Sequence, residues 1–208
     1  MKIFNKILTV FFPQKCLGCK KENDILCPDC LGKINRPDTP YLKGVHLTAN
    51  YQDPVLKKAL WMLKYQGVKQ LAKPLAELIK TRIWKKLEKE AWLIVPIPLS
   101  PKKLRKRGFN QAELIACHLF NSENNLLWGG GVLSKKRETK SQVEVKDKEE
   151  RLANVVGSFR TEKPEIVKGK KIILIDDVYT TGATMNEAKK VLKLAGAKKV
   201  VGIVVARG

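Results

Sequence analysis

Residues 172–184, which read Ile-Ile-Leu-Ile-Asp-Asp-Val-Tyr-Thr-Thr-Gly-Ala-Thr, constrain the fold of this chain more than any other stretch. The four leading apolar residues predict a strand buried on both faces, as in a parallel sheet. Two carboxylates, Asp176 and Asp177, follow that strand directly. Beyond the polar turn, apolar residues repeat at helical spacing: Ala188, Val191, Leu192 and Ala195. The stretch therefore predicts a strand, a turn and a helix of an α/β fold.

The turn in this stretch has the chemistry of a phosphate site. Backbone N–H groups and three threonine hydroxyls converge over a helix N-terminus, where anions bind. Gly182 lacks the Cβ that would block a close approach to the backbone. The neighbouring carboxylates suit the hydroxyls of a ribose or a Mg²⁺ ion. We therefore predict a site for a phosphorylated sugar.

Residues 172–184 fit other kinds of site less well. A Walker P-loop and a Gly-x-Gly-x-x-Gly dinucleotide turn are both missing from the sequence. A phosphoacceptor aspartate at the strand end would leave the threonine-rich turn unexplained. An ordinary strand–turn–helix with solvated acids is the remaining alternative.

Four cysteines near the start form two C-x2-C pairs: Cys16, Cys19, Cys27 and Cys30. Four thiolates so spaced predict the closed tetrahedral site of a structural Zn²⁺ ion, and disulfides or redox chemistry are the alternatives. So short a segment buries little core, so its folding would depend on the metal. Cys117 stands in an apolar helical run and is expected to be a packed core thiol.

The length of 208 residues suits one main domain and a small appendage. We place a zinc-knuckle domain with an N-terminal helix at residues 1–45 and the α/β domain at residues 46–208. No apolar run reaches the roughly 18 residues that a membrane span needs. The start, Met1–Phe12, resembles a signal peptide, but its apolar core is short and no cleavage site follows. We expect a cytoplasmic protein.

The net charge is strongly positive, with 41 Lys and Arg residues against 20 Asp and Glu residues, a formal balance of +21. Such a balance favours a polyanionic partner, nucleic acid before an anionic membrane. A general bias of the proteome towards lysine is the alternative. The charge is concentrated in residues 101–107 and 134–140. These clusters serve either a diphosphate or DNA, and composition does not separate the two uses.

The remaining pattern predicts further strands and helices. Strands are expected at His46–Tyr51, Trp92–Ile97, Leu126–Leu133 and Lys199–Ala206. Helices are expected at Val55–Tyr65, Leu71–Leu87 and Asn110–Phe120, with a basic loop before the last of them. Residues Lys135–Glu150 are too charged for a core element and predict a solvated connection or a functional loop. Strands alternating with helices imply a mostly parallel sheet flanked by helices.

The strand, acidic pair and turn resemble the phosphoribosyl pyrophosphate (PRPP) loop of the type I phosphoribosyltransferases. The resemblance implies that fold, with Asp176 and Asp177 on the ribose of PRPP, together with Mg²⁺. It also implies a binding loop that continues through Val178 and Tyr179, with the 5′-phosphate held by the turn: Thr180, Thr181, Gly182, Ala183 and Thr184. Lys103 and Arg105, after an earlier strand, would stabilise the leaving diphosphate.

Other motifs are similar to those of one group, the ComF/ComFC competence proteins. They are the four-cysteine knuckle, the Lys-Tyr-x-Gly step at 64–67 and the Arg-x-Arg-Gly-Phe-Asn-Gln run at 105–111. Further on, the pattern continues through Arg137, Gln142, Arg151, Asn154 and the Gly-x-Phe at 157–159. The resemblance implies a role in DNA uptake and in handling single-stranded DNA. A DNA-uptake helicase or a recombination mediator protein is the implied protein partner.

Three functional hypotheses follow from these motifs. The first is a DNA-uptake accessory protein with PRPP or a nucleotide as ligand, in which Tyr65, Phe109 and Tyr179 either stack on bases or belong to the core. The second is an active phosphoribosyltransferase with an unidentified acceptor. The third is an adaptor regulated by nucleotide levels. No glutaminase domain is present, which argues against amidophosphoribosyl transfer from glutamine by this chain alone.

Overall fold

The computed structural model describes residues 14–84, 87, 91–120, 126–136 and 155–208. Within them the helices are α1 (Pro28–Lys33), α2 (Pro54–Tyr65), α3 (Ala72–Arg82), α4 (Pro101–Arg107), α5 (Gln111–Phe120), α6 (Pro164–Val167) and α7 (Ala183–Leu194). The strands are β1 (Tyr41–Leu42), β2 (Val45–Asn50), β3 (Trp92–Pro96), β4 (Leu126–Trp128), β5 (Leu133–Lys135), β6 (Phe159–Thr161), β7 (Lys171–Tyr179) and β8 (Lys199–Arg207). None of these helices is long and apolar enough to cross a membrane.

The main sheet has the strand order β1-β2-β8-β7-β3-β4. Every neighbouring pair is parallel except β1 with β2, which is antiparallel. Strands β5 and β6 pair separately as a short antiparallel ribbon. The predicted mostly parallel sheet is therefore confirmed, and β7 lies near its centre between β8 and β3.

Helices cover both faces of this sheet, and successive residues of β7 alternate between them. Ile173 and Ile175 belong to the core formed with α2, α3 and α5. Ile172 and Leu174 belong to the core on the other face, which includes buried residues of α7. This alternation determines which way the acidic side chains at the end of β7 point.

The cysteine-bearing segment packs against the first of these two cores. Leu26, Leu31 and Ile34 are buried in the same apolar cluster as α2 and α3. The Arg82 guanidinium donates to the carbonyl oxygens of Ile34, Gly32 and Thr48, at 2.7, 3.3 and 3.2 Å. The knuckle is thereby bound to the end of α3, while the domain boundary at residue 45 stays a prediction.

Several predicted elements differ from the structure. The expected basic loop is largely the helix α4, because Ser100 accepts a hydrogen bond from the Lys103 N–H and Pro101 occupies the first turn. The expected strand Leu126–Leu133 is divided between β4 and β5, which belong to different sheets. The helix expected to reach Leu87 ends at Arg82.

Other predictions are confirmed or lie outside the described residues. The strand expected from His46 and the helix expected from Val55 are present as β2 and α2. Cys117, which was expected to be a packed core thiol, is only partly buried on α5, where burial raises the pKa of its thiol. The expected helix at Met1–Phe12 lies outside the described residues, as does most of the charged stretch Lys135–Glu150.

Candidate functional site

The two carboxylates of the acidic pair lie inside β7 rather than after it, since the strand continues to Tyr179. They point to opposite faces of the sheet. Asp177 shares its face with Ile173 and Ile175 and lies under α2. Asp176 points towards the turn that precedes α7. One ligand beside the turn would therefore reach Asp176 more easily than Asp177.

Asp177 is held by a lysine that the sequence did not identify as a site residue. Its Oδ2 lies 2.6 Å from Nζ of Lys64, in the last turn of α2, and the Asp177 side chain is only 7% exposed. Burial acts to lower the pKa of Lys64, but the charges of Asp177 and Asp176 raise it above the usual value. The pair therefore links α2 to β7 as a buried ion pair.

Asp176 has a different environment. Its Oδ1 accepts a hydrogen bond of 2.8 Å from the Asp177 N–H, and the side chain is partly exposed towards the turn. Burial, with the charge of Asp177, raises the pKa of the Asp176 carboxyl to about 7. A carboxylate that is costly to ionise gains from a bound cation or from hydroxyl donors.

Lys135 interacts electrostatically with Asp176. Burial and the charge of Lys103 lower the pKa of Lys135 to about 8, while Asp176 acts in the opposite direction. Lys135, at the end of β5, lies over the Phe159 ring at 5.2 Å from its centroid. The sequence placed Lys135 in a basic cluster but gave it no role. Lys135 is therefore a member of this cluster whose charge interacts with the acidic pair.

The threonine-rich turn forms one cleft with the end of β7. The cleft is lined by Asp176, Val178, Tyr179, Thr180, Gly182, Thr184, Met185 and Val204. The Ala183 N–H at the start of α7 donates to Oγ1 of Thr181, at 3.3 Å. Gly182 has a φ of +81°, and a Cβ there would lie 2.2 Å from the Tyr179 hydroxyl. The turn therefore requires glycine at this position.

The predicted cations of α4 do not all face the cleft. Lys103 is partly buried, and its charge acts on Lys135. Arg107 lies one helical turn later on the same side, whereas Arg105 points away from both and is exposed. Lys103 therefore lies near Lys135, whereas Arg105 lies on the outer side of α4.

The Arg-Gly-Phe-Asn-Gln run joins α4 to α5. Arg107 donates to the Gln111 side chain, and Gly108 ends α4 with a φ of +79°. Phe109 is buried, and the Asn110 side chain donates to the Ile97 carbonyl at 3.0 Å. These contacts show that the motif builds the turn between α4 and α5.

The aromatic residues considered for base stacking divide into two groups. Phe109 and Tyr179 are 8% and 5% exposed and belong to the core, so the second of the two alternatives holds for both. Tyr65 is 64% exposed at the end of α2.

The four cysteine sulfurs lie within 4.8 Å of one another. Sγ of Cys27 is 3.6 Å from that of Cys16 and 3.7 Å from that of Cys19. A tetrahedron with metal–sulfur bonds of about 2.3 Å has sulfurs about 3.8 Å apart, so the spacing fits a four-sulfur metal site. The structure thus brings together all four predicted ligands.

The thiols of this cluster differ in their pKa values. Burial acts to raise the pKa of Cys16, but backbone hydrogen bonds from Cys27, Cys19 and Gly18 lower it to about 6. Burial and the neighbouring thiols raise the pKa of Cys30 to about 12. A divalent cation would offset the repulsion between the thiolates, as expected for a metal site.

Comparison with known proteins supports the family. A family profile described as a phosphoribosyl transferase domain matches residues 106–208. Competence protein ComFC of Streptococcus pneumoniae is 31% identical over 216 residues, which cover 92% of this chain and 92% of that protein. The chain belongs to the ComFC family. Membership confirms the type I phosphoribosyltransferase fold predicted from the sequence, with a four-cysteine cluster near its start.

Two further relatives agree with membership of the ComFC family. Competence protein ComFC of Bacillus subtilis is 32% identical over 180 residues, 85% of this chain and 70% of that protein. DNA utilization protein YhgH of Escherichia coli is 26% identical over 199 residues, 89% of this chain and 85% of that protein. The chain is thus a ComF-type competence protein with a phosphoribosyltransferase domain.

Proposed function

We propose that this protein binds PRPP or a related nucleotide in the cleft at the end of β7, and that it acts in DNA uptake by handling single-stranded DNA. One observation carries the ligand assignment. Asp176 and the threonine-rich turn line a single cleft, and the charge of Asp176 acts on the partly buried Lys135. The DNA role rests on membership of the ComFC family and on the charge of +21.

Each part of PRPP has a counterpart in this cleft. The N-terminus of α7 and the turn would receive the 5′-phosphate, since backbone N–H groups and the helix dipole favour an anion there. Asp176 would accept hydrogen bonds from the ribose hydroxyls or hold Mg²⁺. Lys103 and Lys135 would face the diphosphate and offset its charge.

Asp177 takes a different role in this proposal from that of its neighbour. Its carboxylate is already paired with Lys64 and is almost fully buried. Contact with a ribose would break that pair and leave a buried ammonium without its partner, at a cost of several kcal/mol. We assign to Asp177 the task of holding β7 and α2 together beneath Asp176.

An active phosphoribosyltransferase is the second candidate, and one observation favours it. A carboxyl group with a pKa of about 7 is suited to accept a proton near neutral pH. Lys103 would stabilise the departing diphosphate electrostatically. The acceptor in such a reaction is not identified by the residues of the cleft.

Calorimetric titration with PRPP and Mg²⁺ tests the ligand assignment. We expect the intact protein to bind, and Asp176→Asn to weaken binding by at least about tenfold through loss of a charge-assisted contact. Asp38→Asn, which changes an exposed aspartate, is the matched control and should bind normally. Absence of binding by the intact protein would overturn the ligand assignment.

Catalysis is tested separately from binding. Phosphorus NMR of PRPP incubated with the protein, Mg²⁺ and a series of amine and nucleobase acceptors would detect release of pyrophosphate. Release that depends on an acceptor and is lost in Asp176→Asn would establish the transferase. Binding without any release would leave PRPP as a bound ligand only.

The four-cysteine cluster is proposed to hold a structural Zn²⁺ ion. Gly18 supports this site, because a Cβ there would lie 2.6 Å from Sγ of Cys30. The knuckle also contacts α2, since the same Cβ would lie 3.8 Å from Cγ2 of Val55. Four sulfur ligands leave no open coordination position, so the ion would support the fold without taking part in chemistry.

We expect Gly18→Ala to weaken Zn²⁺ retention by at least about tenfold, because the new methyl group displaces a ligand. Competition with a chromogenic chelator measures the affinity. Gly32→Ala is the control, since a Cβ at that glycine meets nothing within 4 Å. Equal retention by the two variants would contradict the assignment of Cys30 as a ligand.

A further inference from the structure

The outer face of α2 exposes two large aromatic rings. Trp61 is 50% exposed and Tyr65 is 64% exposed, although rings of this size are usually well covered. The two residues are four positions apart on the helix, and their ring centroids are 6.2 Å apart. We call this pair the α2 aromatic pair.

Positive charge surrounds the α2 aromatic pair. The guanidinium of Arg107, reaching across from α4, lies 5.6 Å from the centroid of the Tyr65 ring. Lys57 and Lys58 are exposed on the same side of α2, one helical turn before Trp61. Neither residues 54–76 nor residues 91–112 include an aspartate or a glutamate. The surface is therefore cationic, and the two helices that form it, α2 and α4, contribute no acidic side chain.

We propose that the α2 aromatic pair, with Arg107, Lys57 and Lys58, is the surface that binds single-stranded DNA. This inference rests on the DNA-handling part of the proposed function and gives it a location. Exposed rings beside cations bind single strands because bases stack on the rings while the cations contact phosphates. A duplex keeps its bases stacked and would use only the cations.

Charge distinguishes this occupant from a protein partner. A protein interface of ordinary composition is depleted of lysine at its core, whereas Lys57 and Lys58 are exposed one helical turn before Trp61. The Arg107 guanidinium also makes a cation–π contact with the Tyr65 ring. The arrangement therefore suits an anionic ligand with flat, unpaired bases.

The same two helices also carry lysines that interact with charged groups near the acidic pair. In α2, Lys64 lies between the two rings in sequence and pairs with Asp177. In α4, Lys103 acts on Lys135 beside Asp176, one helical turn before Arg107. The residues that line the cleft include none from α2, so substitutions of the rings should leave PRPP binding unchanged.

Fluorescence anisotropy with a labelled 20-nucleotide oligo(dT) strand tests this surface in the zinc-loaded full chain. We expect the double variant Trp61→Ala, Tyr65→Ala to bind about 100-fold more weakly, since each stacked base contributes strongly. Trp61→Phe with Tyr65→Phe should retain most of the affinity, because both rings remain. Tyr41→Ala removes a comparably exposed ring from β1 and is the matched control.

Four results separate the outcomes. Unchanged affinity of the double alanine variant would overturn the α2 aromatic pair as the site while DNA handling stands. No binding by the intact protein would overturn the DNA-handling proposal itself, and the PRPP titration would then stand independently. If light scattering shows that the intact protein is a dimer and the double alanine variant a monomer, the pair is a protein interface and the inference is overturned. Arg107→Gln should reduce the slope of log affinity against log salt concentration by about the amount that one phosphate contact contributes, and this result would support the inference.

Discussion

Asp176→Asn should raise the unfolding temperature of the protein at pH 8 while it weakens PRPP binding. Burial and the charge of Asp177 raise the pKa of Asp176 to about 7. The ionised carboxylate therefore destabilises the folded state at pH 8. Asparagine removes the charge, and its amide oxygen can still accept the Asp177 N–H. Because the side chain is partly exposed, we expect a gain on the order of 1–3 kcal/mol, or about 3–8 °C.

The gain in stability from Asp176→Asn should increase as the pH rises. The pKa of Asp176 is raised in the folded state above its ordinary value of 3.8, so between pH 4 and 7 the folded state binds more protons than the unfolded state. This group therefore stabilises the fold below about pH 4 and loses that contribution as the pH rises through 7. The charged groups that act on Asp176 or on its neighbour Lys135 remain in the variant: Lys64, Asp177, Lys135 and Lys103.

Calorimetric melts of the two proteins at pH 4, 6 and 8 measure this difference. The two melting temperatures should converge at pH 4 and separate progressively towards pH 8. Asp38→Asn, at an exposed position, should show no such trend. A constant difference at all three pH values would mean that Asp176 has an ordinary pKa in the folded protein. The cleft would then lack the carboxylate, costly to ionise, that our ligand assignment uses.

Local sequence patterns predicted the central features of the fold well. The strand before Asp176, the turn and α7 appear in order because apolar runs and a glycine with a positive φ are strong local signals. The four cysteines came together as expected because two C-x2-C pairs restrict their own geometry. Such features depend on neighbours in sequence.

Features that depend on contacts between distant residues were missed. The Lys64–Asp177 pair joins residues more than a hundred positions apart, and no local pattern marks such a pair. The helix α4 was predicted as a loop because its five cations obscure the start signal of Ser100 and Pro101. The opposite directions of Asp176 and Asp177 were also missed, since the strand was expected to end before them.

Lys64→Met should be among the most destabilising substitutions in the chain. Methionine preserves most of the apolar stem but removes the ammonium, which leaves the Asp177 carboxylate buried without its partner. Removal of one member of a buried ion pair costs about 3–5 kcal/mol. Chemical denaturation at pH 8 measures the loss, and Lys58→Met, at an exposed position of the same helix, should change stability by less than about 0.5 kcal/mol.

The double variant Lys64→Met, Asp177→Leu separates structure from function at this pair. Two apolar side chains of similar size can replace a buried ion pair at little cost, so the double variant should recover most of the stability lost in Lys64→Met. If Asp177 only supports β7, the recovered protein keeps Asp176 and should bind PRPP with nearly normal affinity. Recovery of stability with loss of PRPP binding would instead place Asp177 on the ribose beside Asp176. A cost below about 1 kcal/mol for Lys64→Met alone would show that water reaches the pair, and the distinction drawn here between the two carboxylates would fail.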